Sequence, residues 1–374
     1  MIAYAGDHLR SFGKVIMFAA KLLPYAAVFA VGLVATVAPA HAAAPVGGPR
    51  SDTAQHRTWV DEEVAFDSAG VTVHGTLHRP ESGKPVPAAL IIAGSGPTDR
   101  DGNSPLIPGS VNTLRWVANR LAAAGVATLR YDKLGSGRTG IGRYAQDPTA
   151  LGADVFTTQA RDALARLAAS PAVDRSRLSV YGHSEGALFA LQLAATPGEH
   201  AIGSVGLLEP LSRRYLDVLW RQITELTDRA VSEGTMTRAD GDALSASLSA
   251  AIDQVRATGT VPSDLPRALR STLNPGTAKF LQQMDRIDPQ DLARRLPAHY
   301  PALLTCSDSD VQVSCSDVAH IAAGLNHADP TFVRLTGVSH VLKQDPSRDQ
   351  AKYGAPLPFS VQAGEAITAF ARAR

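Results

Sequence analysis

Several things are scarce in this 374-residue chain, and each scarcity removes a class of function. It has two cysteines, Cys306 and Cys315, and no Cys/His cluster at zinc spacing, so no metal site is expected. His74 and His78 lie four apart, but in a strand-like run, where they read as ordinary surface residues. Charge of either sign is not in excess: Lys+Arg number 36 and Asp+Glu 35. Nothing there calls for a polyanionic partner, and nucleic acid is not expected. Long apolar runs are also lacking. The longest candidate, Leu22 to Val37, is short of the about 20 residues that a membrane span needs.

That run has a different meaning in its context. Arg10, Lys14 and Lys21 precede it as a positive region, and Ala40-His41-Ala42 follows as a small-x-small cleavage site. Residues 1–42 therefore read as an export signal, with an uncleaved anchor as the alternative. No stable membrane span is expected once the signal is removed. The expected location is outside the cytoplasm, periplasmic or secreted. Residues 43–58 are Pro/Gly/Ala-rich without periodicity and read as a flexible lead-in. In an exported chain a lone pair of cysteines points to a disulfide between Cys306 and Cys315.

From Trp59 onward the pattern alternates strand and helix. Trp59 to Phe66 and Val71 to His78 flank Ser68-Ala69-Gly70 as a hairpin. Val86 to Ala93 and Val126 to Tyr131 are continuous apolar runs of the buried-strand kind. Each ends in a long polar loop, Gly94 to Asn103 and Asp132 to Asp147. Helical segments are expected at Val111 to Ala124 and Ala153 to Ala169. After the strand Ile202 to Leu208 the strand signal stops, and residues 211–296 read as an inserted helical cap between core segments 59–210 and 297–374. Its helices are expected at Tyr215 to Glu233, Arg238 to Ala257 and Pro275 to Met284. The β/α pattern then resumes with Ala302 to Cys306, Ser314 to Leu325, Thr331 to Leu335 and a closing helix, Phe359 to Ala373. The expected class is α/β, a mostly parallel sheet with helices on both faces.

One stretch organises the rest. Leu178 to Tyr181 leads into Gly182-His183-Ser184-Glu185-Gly186, and Ala187 to Ala195 reads as a helix. Strand, sharp turn and helix are the context in which Gly-x-Ser-x-Gly presents a nucleophilic serine. A serine hydroxyl needs a base to take its proton, and the base needs a third group to orient it. With the chain order serine, acid, histidine, eleven histidines reduce to three: His320, His327 and His340. His320 falls within a helix and His327 at the wrong end of the last strand, which leaves His340. For the acid, Asp310 is favoured over Asp308 and Glu209, because Val311 is expected to anchor the loop. The oxyanion donors are expected to be the backbone N–H groups of Glu185 and Ser95. The Glu185 carboxylate is expected to complement the helix N-terminus.

Leu90 to Asn103, Arg130 to Arg138, the Gly182–Gly186 motif, Asp310 to Val313 and Ser339 to Lys343 together resemble the bacterial α/β-hydrolase family of serine aminopeptidase-like esterases. The resemblance runs from Trp59 to the C-terminus and is weakest in the cap. It implies the α/β-hydrolase fold, carboxylesterase-type activity on a small-molecule ester, no cofactor, and the triad Ser184, Asp310 and His340. It also implies a structural role for Asp132. The chain departs from the family at Ser307, where glycine is usual. The alternatives are a peptidase or amidase, with Glu225 or Glu233 of the cap holding a free amine, and a non-catalytic binding protein on a hydrolase scaffold. The sequence specifies neither the acyl chain, the alcohol nor the oligomeric state.

Overall fold

A computed structural model of the chain describes residues 58–374. The segment read above as an export signal, and nearly all of the segment read as a lead-in, lie outside the described residues. Among the described residues, eight strands form one sheet in the order β1-β2-β4-β3-β5-β6-β7-β8. They are β1 (Trp59–Ser68), β2 (Val71–Pro80), β3 (Val86–Ile92), β4 (Ala127–Tyr131), β5 (Val173–His183), β6 (Ile202–Leu208), β7 (Pro301–Ser307) and β8 (Asp329–Leu335). The β1–β2 and β2–β4 pairs are antiparallel and the other five are parallel.

Side chains alternate across a strand, so a strand buried on both faces feeds two cores. In β3, Ala88, Leu90 and Ile92 enter one apolar cluster, while Ala89 and Ile91 enter the other. The second core is closed by α1 (Thr113–Ala123) and the C-terminal helix α9 (Val361–Arg372). The first, larger core is covered by α2 (Ala153–Ala168), α3 (Glu185–Ala195) and α8 (Cys315–Gly324).

Between β6 and β7 the chain makes α4 (Tyr215–Ser232), α5 (Arg238–Thr258), α6 (Pro275–Asp285) and α7 (Pro289–Arg294). Their apolar faces, including Leu216, Leu219, Leu248 and Phe280, join the first core. A buried carboxylate ties three of them together. Asp285 accepts from the Leu216 N–H at 2.9 Å, from Arg214 at 2.6 Å and from Arg256 at 2.9 Å.

Most element ends fall within two residues of the sequence expectation, but β5 begins earlier, at Val173 rather than Leu178. The helix after the serine starts at Glu185, with Ser184 itself as its N-cap residue. Helix α7 was not expected. It is six residues long, below the length at which periodicity shows, but its start carries a local signal: Asp288 caps the Gln290 N–H at 2.8 Å and Pro289 occupies the first turn.

Candidate active site

The site lies beyond the carboxyl ends of the parallel strands, where open α/β sheets place their ligands. Ser184 joins β5 to α3 with φ 57° and ψ −122°, a conformation that few non-glycine residues adopt and that costs about 1–3 kcal/mol. The surroundings hold it there. Its N–H donates to the Leu208 carbonyl at 3.0 Å, and its carbonyl accepts from Ala187 at 3.0 Å and Leu211 at 3.1 Å. Both glycines of the motif are required by close approach. A Cβ on Gly182 would fall on the Gly186 carbonyl, and one on Gly186 would fall on the carbonyls of Ile92 and Ala93.

His340 follows β8 and is buried. Its Nδ1 lies 2.7 Å from Asp310 Oδ2, which fixes the ring so that Nε2 is the nitrogen left for chemistry. The other oxygen of Asp310 accepts from the N–H groups of Gln312 at 2.7 Å and Val313 at 3.1 Å. Burial pushes the Asp310 carboxyl up, but the facing His340 and the two N–H donors outweigh it, and the group is held below the usual carboxylate range. Asp308 is not at His340. It accepts from the Gly337 N–H at 2.8 Å. His327 bonds the Leu296 carbonyl at 2.7 Å, and His320 lies beside Arg213 and Asp288. Val311 is only half-buried; the buried valine of the acid loop is Val313, which also donates to Asp310.

Glu209, weighed as an acid from sequence, lies directly beside Asp310 and is fully buried. Neither carboxyl oxygen has a well-aligned hydrogen bond, although Asp310 and Thr305 lie against the group. Burial first, and then the Asp310 charge, hold Glu209 well above the usual carboxylate range. It is the neutral member of the pair. Two carboxyls this close cannot both ionise, and the one facing His340 keeps the charge.

Three features of the site had no signal in residue spacing. The first is Ser307. Its hydroxyl donates to the Val338 carbonyl at 2.5 Å and accepts from the N–H groups of Ser309 and Val338, so it joins the acid loop to the segment bearing His340. The second is His183, whose Nε2 lies 2.7 Å from the His340 carbonyl. Burial, with His340 next, pushes its pKa down to about 3, so it stays neutral beside His340. The third concerns Glu185, whose carboxylate does more than face a helix terminus. It is buried and paired with buried Lys133 at 3.5 Å, and Tyr215 of α4 lies against it.

Cys306 at the end of β7 and Cys315 at the start of α8 are disulfide-bonded, with Cα atoms 5.1 Å apart. The bond closes a ring around the acid loop. Buried Lys343 donates to the carbonyls of Ser110 at 2.8 Å, Tyr353 at 2.8 Å and Ala355 at 2.7 Å. Asp132 is likewise a loop anchor, accepting from the Arg100 and Arg138 N–H groups and from the Arg100 guanidinium.

Two cavities meet at Ser184. One, of about 90 Å³, is shared with His183, His340 and Tyr353. The other, of about 40 Å³, is shared with Glu185 and the α4 side chains Tyr215, Val218 and Leu219. Ser95 lines both. Neither Glu225 nor Glu233 lines either one; Glu225 pairs with Arg221 at 3.4 Å and Glu233 caps the far end of α4.

The comparisons agree with this architecture. No family model matches the chain. It is similar to Esterase EstD of Thermotoga maritima, 25% identical over 263 residues that cover 69% of this chain and 55% of that protein. The chain thus spans about half the length of the relative it matches. Among solved structures it is similar to Est1E from Butyrivibrio proteoclasticus with ferulic acid bound. That structure has a TM-score of 0.51 and 15% identity, over 83% of this chain and 96% of that one. It is also similar to DcsB in complex with a substrate analogue, with a TM-score of 0.50 and 15% identity over 84% and 99% of the two chains. The chain thus has the α/β-hydrolase fold and is similar in sequence to a bacterial esterase.

Proposed function

We propose that the protein is an exported carboxylesterase that cleaves a small-molecule ester through an acyl-enzyme on Ser184. His340 Nε2 takes the Ser184 proton as Oγ attacks the ester carbonyl carbon. The carbonyl oxygen gains the negative charge, and the N–H groups of Ser95 and Glu185 receive it. The C–O bond then breaks, with the proton passing from His340 to the departing alcohol. Water repeats the sequence: His340 takes its proton, its oxygen attacks the acyl carbon, and Ser184 leaves reprotonated. Asp310 keeps the ring oriented and stabilises the imidazolium; burial makes that stabilisation stronger than it would be in water.

The observation that carries this reading is the 2.7 Å Asp310–His340 bond in the cleft that Ser184 lines from a strained, glycine-flanked turn. The name of the similar Thermotoga maritima protein supports ester hydrolysis in particular. The disulfide and the signal-like N-terminus support export. A fluorophosphonate probe tests the reading. Covalent labelling of Ser184, together with turnover of p-nitrophenyl acetate that disappears in Ser184→Ala, is the expected result. An unlabelled folded protein without turnover would point to a binding role.

A further inference from the structure

The two cavities that meet at Ser184 differ in size and in neighbours, and the chemistry assigns each an occupant. His340 must hand its proton to the oxygen of the departing alcohol, so the alcohol has to lie on the His340 side. That side is the cavity of about 90 Å³, which His340 and Tyr353 share with Thr98, Leu106 and Val341. The acyl substituent on the same carbon then points the other way, into the cavity of about 40 Å³ against α4. The smaller cavity thus offers less than half the room of the larger.

We propose that the protein is selective for esters of short acids with bulkier alcohols, the acyl group being held between the serine turn and the first helix of the cap. This rests on the ester-cleaving role proposed above. The walls of the acyl side explain why it does not stretch. Leu211, Tyr215, Val218 and Leu219 are all buried and belong to the main core, so a longer chain would have to overpack it. Gln222 and Gln312 also line this side, where the Gln222 amide donates to the Gln312 carbonyl at 3.3 Å.

The test is a series of p-nitrophenyl esters, in which the alcohol is constant and the acyl chain grows from acetate through butyrate to octanoate. kcat/KM should fall by about tenfold or more between butyrate and octanoate. Leu219→Ala should move the optimum to a longer chain, and Val218→Ala gives the same readout if Leu219→Ala does not fold. Leu106→Ala should leave the acyl ranking in place and instead reorder a set of acetates of different alcohols. Octanoate turned over as fast as acetate, or an acyl ranking that follows Leu106 rather than Leu219, overturns the proposal. Labelling of Ser184 by a small fluorophosphonate separates the two levels. A labelled enzyme with a flat acyl profile refutes the partition alone, whereas no labelling and no turnover removes the esterase reading with it.

Discussion

The Arg221 guanidinium of α4 donates to the Gln312 carbonyl at 3.1 Å in the loop that carries Asp310. The same guanidinium lies 3.0 Å from Asp317 in the first turn of α8. Since the Gln312 N–H is itself bonded to Asp310, the inserted helices reach the acid through a single residue. Arg221→Ala should lower kcat for p-nitrophenyl acetate several-fold, even though Arg221 lines neither cavity at Ser184. Steady-state kinetics with this small ester check it; a change in KM alone would show that Arg221 shapes binding and leaves the acid in place.

The triad predicts a ranking. Ser184→Ala, His340→Ala and Asp310→Asn should each cost several orders of magnitude in kcat, since residues that act as a unit fail as a unit. Asp308→Asn and Glu209→Gln should stay within about tenfold of the parent, because neither side chain bonds His340 and amide replacement of a neutral Glu209 changes little. Far-ultraviolet circular dichroism on the same preparations shows that the losses are not unfolding.

Glu209 gives a pH prediction. Its folded pKa is raised above the unfolded value, so the folded protein retains a proton that the unfolded chain has lost. Its contribution to stability is present below the unfolded pKa and is lost as pH rises toward the folded pKa. Glu209→Gln removes that dependence. The melting temperature of the variant relative to the parent should therefore rise between pH 5 and pH 8, by a few degrees. A difference that stays constant across this range would mean that Glu209 is not held neutral. Asp310 has the opposite sign: its lowered pKa contributes stability above the unfolded value that is lost as pH falls through the folded one.

The disulfide closes a ring of nine positions, and the chain-entropy estimate for so small a ring is about 2.5–3 kcal/mol. Cys306→Ala/Cys315→Ala should lower the melting temperature and also reduce kcat, because the ring contains Asp310. Intact mass after alkylation of the denatured, non-reduced protein should show no adducts. Two adducts would mean free thiols.

Why some of this was legible in the sequence and some was not comes down to range. Strand alternation in β1 and β2, the apolar runs of β3 and β4 and the glycines flanking Ser184 are local signals, and they located the sheet and the turn. The order serine, acid, histidine left three histidines, and position at the catalytic end of the sheet left His340. Asp310 was preferred over Asp308 and Glu209 only through the expected Val311 anchor, a place that Val313 takes in the structure. Lys133 and Glu185 are 52 positions apart, and no periodicity relates them. Ser307 read only as a departure from a family pattern; that its hydroxyl bonds the backbone at Val338 depends on how β7 and β8 pack side by side. Helix α7 was too short for its pattern to be seen, and Val311 and Val313 could not be told apart without the turn between them.

The ammonium of Lys343 has a consequence for how this site could be altered. Two stretches, at Ser110 and at Tyr353 to Ala355, end on that one group, and Val111 of the first and Tyr353 of the second line the larger cavity together with His340, as one wall of it. A residue added to or removed from either of them pulls on the other and on His340. Diversification of this wall must therefore come as exchanges of side chains at constant loop length. The segments joining α4, α5 and α6 carry no such knot near Ser184, so in a directed-evolution library insertions and deletions belong there, and point substitutions belong around Tyr353.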